Sequence, residues 1–184
     1  DPGSSLSAII QIGSVFALLW YFKNDIFNLS RKYSKKNFKY LANENLFRSI
    51  LIGTIPIILF GGTIKLFVPY FFDKILRSNL SIALVSFLMA IFMYVADKSK
   101  KGSINLDNHN ISDSFLLGIS QAFAIIPGVS RSGVTISTAL VSGWDRHDAA
   151  KFSFLLGMPA ISFAAIVEFI SSINNFSSLS FFPL

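Results

Sequence analysis

No cysteine stands anywhere in the sequence, and charge is sparse: 16 Lys and Arg and 10 Asp and Glu among 184 residues, or 14%. Without thiols there are no disulfides and no thiolate chemistry. A water-soluble domain carries about 25% charged residues, and so little charge argues against a surface bathed in water. Only two histidines are present. His109 and His147 each stand alone in a polar connection, without the spacing of a metal site, and a solvated role is expected for both. The formal charge of +6 comes without an aromatic-studded basic stripe, so nucleic acid is not an expected partner; anionic lipid headgroups are. The opening "DPGSSLSAIIQ" has no basic stretch before its first apolar run and does not resemble a signal peptide. It reads as the start of a chain partway through a protein.

What the sequence has is apolar length, with 52% hydrophobic residues and 20 phenylalanines. A first block runs from Leu6 to Phe22, broken only by Gln11 and small hydroxyls, with Trp20 and Tyr21 suited to an interfacial belt. Gln11 is expected to bond to a neighbouring helix. A second block, Ser49 to Ile64, carries Pro56 at its centre and Gly61-Gly62 near its end, and a third, Ser81 to Ala96, is apolar throughout. Seven basic residues fall in the first connection: Lys23, Arg31, Lys32, Lys35, Lys36, Lys39 and Arg48. The loop 23–48 is therefore expected on the cytoplasmic side, and with three spans the loop 97–113 returns to that side. A surface helix within the first connection and a short interfacial helix in "LFVPYFFDKILR" are further expectations.

The chain then changes character. Phe115 to Ile126 is too short to cross a bilayer, "PGVSRSG" (127–133) interrupts it, and Val134 to Ser142 is a second short run. Two half-helices around a Pro/Gly break form the pattern of a re-entrant segment, over 115–142, whose open backbone must be shielded by protein or line a polar cavity. A last block, Phe152 to Ile170, again has a central proline, Pro159, and a small-residue face. The cluster Asp145, Arg146, Asp148 and Lys151 reads as a helix start, with Asp145 or Asp148 as cap.

The break is also a candidate site. Pro127 stops one helix, Gly128 allows a tight turn, and Gly133 allows close approach before a helix expected to begin near Val134. The first amides of that helix lack internal acceptors and its dipole favours an anion. Ser130, Ser132 and Thr135 add hydroxyl donors, and Arg131 adds a planar, permanently charged fork suited to phosphate. Together they compose an anion nest. Gln121, six residues before Pro127, points to the same cavity or to a structural bond. The plainer alternative pairs Arg131 with an intramembrane acid, Glu168 being the nearest, with Ser130 or Ser132 as a cap; His147 reaches the site only if the turn at 143–148 folds over it. An unpaired arginine at membrane depth costs at least ~2.5–3.5 kcal/mol, so a partner or ligand is required.

The stretch "LGISQAFAIIPGVSRSGVTISTALVSGWDRHDAAKFSFLLGMPA" (117–160), with "IIQIGSVFALLWYF" (9–22) and "LIGTIPIILFG" (51–61), resembles the undecaprenyl-diphosphate phosphatase family, bacitracin-resistance type. The resemblance implies an all-α integral membrane protein of the bacterial inner membrane, a multi-pass helical bundle with re-entrant broken helices and an inverted-topology repeat. Residues 1–184 then form one transmembrane domain, with 1–96 belonging to the first repeat half and 112–184 to the second. It implies removal of the terminal phosphate of a C55 polyprenyl diphosphate, recycling the lipid carrier for peptidoglycan synthesis. Arg131, with Ser130 and Ser132, matches the family's arginine-bearing phosphate-binding motif; from the nest itself Arg131 and Ser130 are expected to take part in catalysis, with Gly128, Ser132, Gly133, Thr135 and Gln121 contacting substrate. A divalent cation, Mg or Ca, would be held by ligands outside this segment. The family's glutamate-rich segment and its serine- and histidine-containing loop, ahead of the first span, do not appear in these 184 residues, nor do its final spans. The expectation is half of a site, in an incomplete record of an enzyme or a truncated product. A flippase or transporter for an anionic headgroup, a noncatalytic scaffold, and a homodimer remain open.

Overall fold

The computed structural model describes residues 2–24, 27, 41–67, 76–99 and 102–177. Among them the chain forms six α-helices: α1 (Pro2–Tyr21), α2 (Leu41–Phe67), α3 (Asn79–Asp97), α4 (Ile111–Ala122), α5 (Arg131–Val141) and α6 (Arg146–Ser177). A turn of 3₁₀ helix, Phe123–Ile125, follows α4. No β-strand is found among the described residues; Ile104 and Trp144 make a single isolated bridge. The surface and interfacial helices expected within 25–40 and 68–75 lie outside the described residues, as do the side chains of Gln11 and Glu168.

Local chemistry sets the helix ends. Ser78 caps α3, its Oγ accepting from the Ser81 amide at 3.3 Å, and the Asn110 amide before α4 donates to Asp113 Oδ2 at 2.8 Å. Asp145 caps α6, its Oδ1 accepting from the His147 amide at 2.9 Å, which decides between the two caps the sequence allowed. Pro56 and Pro159 lie inside α2 and α6, each removing the bond to the carbonyl four residues back. α6 runs 32 residues, starting ahead of the apolar run at Phe152, at the expected helix start, where Asp145 caps it and Ala149 is buried.

Three contacts along α3 fix the depth of the α4–α5 hairpin. Arg146, at the start of α6, pairs with Asp97 at the end of α3 and donates to its carbonyl at 3.2 Å. One turn deeper, a Cβ on Gly133 would stand 2.9 Å from Met93 Sδ. At the hairpin tip, Ser86 Oγ donates to the Gly128 carbonyl at 3.3 Å. At 1.5 Å per residue the tip lies about 16 Å along α3 from Asp97. α4 enters and α5 leaves at one end of the bundle, where Ser49 of α2 also meets His109. The start of α2 and the segment following α3 thus share one end, as the number of spans led us to expect.

Packing is closest between α2 and α4. A Cβ on Gly118 would stand 2.3 Å from the Gly53 carbonyl oxygen, and one on Gly53 would stand 2.8 Å from the Ser114 carbonyl oxygen. Backbones approach this closely only where side chains are missing, the small-xxx-small logic of membrane helices. Trp144, Phe152, Leu117 and Leu156 are buried nearby at the loop end. α3 is the opposite: only Met89 and Ala96 are buried, while Leu80, Phe87 and Tyr94 are 82%, 64% and 67% exposed. α3 and Arg146–Ile166 of α6 are long and apolar enough to cross a membrane.

Candidate active site: the broken helix at 123–133

The incoming helix tightens to 3₁₀ at Phe123–Ile125 and is extended at Ile126 (ψ 123°). Gly128 then takes φ +97°, a conformation that disfavours any side chain. A Cβ there would also stand 2.8 Å from the Ile82 carbonyl oxygen. Gly128 is required both by its turn and by its neighbour.

α5 begins at Arg131, three residues ahead of the expected start, because Ser130 caps it: Ser130 Oγ accepts from the Gly133 amide at 3.2 Å. The Val134 amide is satisfied by the Ser130 carbonyl at 2.8 Å. Gly133 is therefore within the helix rather than before it. The amides the helix leaves to an outside acceptor are those of Arg131 and Ser132.

Thr135 departs from its expected role. It is buried, its hydroxyl lies 3.0 Å from the Arg131 carbonyl and 3.2 Å from that of Ser132, and it makes a short bond with Ser153 Oγ of α6. A threonine hydroxyl has one proton, and here it is used within the protein. Thr135 ties α5 to α6 rather than offering a donor to a ligand.

Arg131 and Gln121 do converge. Arg131 Nη1 donates to the Gly157 carbonyl at 3.2 Å. From the point a Cβ on Gly157 would occupy, Gln121 Oε1 lies 3.9 Å and Arg131 Nη1 4.0 Å away. Gln121 is wholly buried, and neither polar atom of its carboxamide has a hydrogen-bond partner. The site thus draws on α4, α5 and α6 together. Gly157 is a member that composition gave no reason to select, since its partners are far from it in the chain, Arg131 standing 26 positions earlier.

The family model described as bacitracin resistance protein BacA matches residues 1–182. The chain belongs to that family. It is 79% identical over 184 residues to an undecaprenyl-diphosphatase of Prochlorococcus marinus (strain MIT 9312), covering all of this chain and 69% of the relative. A second undecaprenyl-diphosphatase, from Prochlorococcus marinus (strain MIT 9515), is 61% identical over 184 residues, covering all of this chain and 69% of the relative. One from Trichodesmium erythraeum (strain IMS101) is 41% identical over 177 residues, or 91% of this chain and 55% of the relative.

Both histidines of this BacA-family chain lie away from Arg131. His109 corrects the expectation of a solvated residue: it is buried, with Nδ1 3.0 Å from the Leu106 carbonyl and Nε2 2.9 Å from Ser49 Oγ. A carbonyl only accepts, so Nδ1 carries the proton and Nε2 receives the Ser49 hydroxyl. Trp144 and Phe152 flank the ring at 5.4 and 5.6 Å between centroids. His147 is exposed at the start of α6, about 15 Å along that helix from Gly157; the 143–148 turn does not bring it over the site. Ligand atoms of Asp145, His147 and Asp148 lie within 4.8 Å of one another, but Asp145 caps α6 and Asp148 Oδ2 accepts from the Leu106 amide at 3.1 Å. These groups do not fit a cation acting beside Arg131. Among the described residues no ion pair holds Arg131.

Proposed function

We propose that the chain carries the phosphate-binding half of an undecaprenyl-diphosphatase: an enzyme of the bacterial inner membrane that hydrolyses undecaprenyl diphosphate to undecaprenyl phosphate and inorganic phosphate. The observation that carries this reading is Arg131, at the N-terminus of a short helix inside the bundle, donating to the Gly157 carbonyl and meeting no carboxylate among the described residues. A guanidinium has five N–H donors, so most remain for an anion. A phosphoryl group answers both the charge and the fork geometry.

In this reading α4 and α5 are a re-entrant pair, entering and leaving at one membrane face, within a multi-pass protein. The exposed apolar length of α3 supports it, as does the burial of α5 despite its serines and threonines. The inverted repeat rests on the family resemblance and on the placement of Pro56 and Pro159. Nothing in the proposal needs a second copy of the chain.

Hydrolysis adds water oxygen to the terminal phosphorus, and the bond to the bridging oxygen breaks, that oxygen leaving with its electron pair on undecaprenyl phosphate. Arg131 and the Arg131 and Ser132 amides stabilise charge on the phosphoryl oxygens as it redistributes. Ser130 fixes where those amides point. Its own hydroxyl proton is not consumed by the cap, and the residue is exposed. The proton of water goes to a base, and the divalent cation that the family implies would supply further charge neutralisation. Both belong, in this proposal, to groups outside the described residues, since the described carboxylates nearest the hairpin sit at its loop end.

The test is phosphate release from undecaprenyl diphosphate by the full-length gene product in proteoliposomes. Arg131→Ala is expected to lower kcat/KM by about 10²–10³-fold, the range for removing one oxyanion donor. Headgroup transport without phosphate release in the unaltered protein would instead establish a flippase.

A further inference from the structure

We infer that the Gln121 carboxamide is the second, neutral donor of the phosphoryl subsite, binding substrate oxygen alongside Arg131. The inference rests on the function proposed above. Buried polar groups in native folds are almost always paired, and most of this chain's are: Ser49 with His109, Thr54 with the Ile50 carbonyl, Ser120 with the Leu117 carbonyl, Thr135 with Ser153. Gln121 is wholly buried with both Nε2 and Oε1 unpartnered. A leucine would fill the same volume without that cost, so the amide needs an occupant to explain it.

Its position says which occupant. Gln121 lies in the last turn of α4, next to the break, and its side chain ends beside the bare Cα of Gly157, where Arg131 Nη1 also ends. Gln121 Oε1 and Arg131 Nη1 both lie within 4.0 Å of one point; with neither end of the carboxamide bonded, a half-turn of the amide presents Nε2 there as the donor. Pro159, two residues further along α6, removes a helix bond close by, easing local adjustment around Gly157 when a ligand enters. Neutrality also matters. A second cation beside Arg131 would make the empty site costly inside the bundle, whereas an amide adds a donor without adding charge.

The test uses the full-length gene product with Gln121→Leu and Gln121→Glu. Three readouts apply: KM for undecaprenyl diphosphate, the inhibition constant for inorganic phosphate, and thermal melting. Gln121→Leu is expected to weaken both substrate and phosphate binding by about ten- to a hundredfold, with melting unchanged or raised. Gln121→Glu loses more, because its carboxylate competes with the phosphoryl group for Arg131. Unchanged KM and phosphate inhibition in Gln121→Leu would overturn the inference and leave Gln121 a packing residue. Should that variant fail to fold, Gln121→Met, apolar and of similar length, is read the same way. If the unaltered protein releases no phosphate, the function proposed above fails; calorimetric titration of inorganic phosphate into the unaltered protein and Gln121→Leu still decides the subsite, equal affinities counting against it.

Discussion

Helices α3 and α5 pack against each other and distribute their side chains in opposite ways. α3 is apolar on every face, yet only Met89 and Ala96 are buried. α5 carries Arg131, Ser132, Thr135, Ser137 and Thr138 in a single short stretch, yet Thr135 and Ser137 are buried along with Gly133, Val134 and Ala139. In water, an exposed surface like that of α3 would be a large uncompensated patch; against lipid it is the ordinary outer face of a bundle. The comparison teaches that the outer face of α3 is made for an apolar neighbour, and that polarity in this chain is concentrated where protein shields it.

The strongest way to break that contrast is a charge on the outer face of α3. Phe87→Lys, at the middle of the helix, is expected to cost about 2.5–3.5 kcal/mol of insertion, read as lost membrane integration and a lower melting temperature in bilayers. A neutral result would mean that this face meets water. The seam between the two helices is next. Gly133→Ala places a Cβ 2.9 Å from Met93 Sδ and equally close to Ser130, and about 1–3 kcal/mol of destabilisation should follow, measured by thermal unfolding in detergent. Met93→Ala in the same protein should return part of that loss. The smallest effect is at the buried polar side. Ser153→Ala removes the partner of Thr135 and should cost about 1 kcal/mol, with phosphate release reduced less than in Arg131→Ala.

How much of this was legible in the sequence depends on the reach of each interaction. The break at 127–133, the third apolar block to Ala96 and a helix start near Asp145 were readable because prolines, glycines and caps act within a few residues. The roles of individual hydroxyls were not. Thr135 looked like a ligand donor until its partner, Ser153, was placed, and Ser130 looked like a donor alone although its oxygen also caps α5. The same limit explains His109, which sits in a polar connection but meets Ser49, 60 positions earlier. The backbone contact of Gly53 with Gly118 was invisible for that reason too, since either glycine alone suggests only flexibility.

The break between α4 and α5 has a kinetic consequence. It brings the negative end of one short helix and the positive end of another to the same depth, so their fields oppose at long range and persist only within about a turn of each terminus. The two helix ends then add nothing to any long-range attraction of anions, and a diphosphate feels them only once its headgroup has arrived. The contribution of these helix ends to substrate capture should therefore respond little to ionic strength, unlike that of a charged cleft that draws ligands from solution.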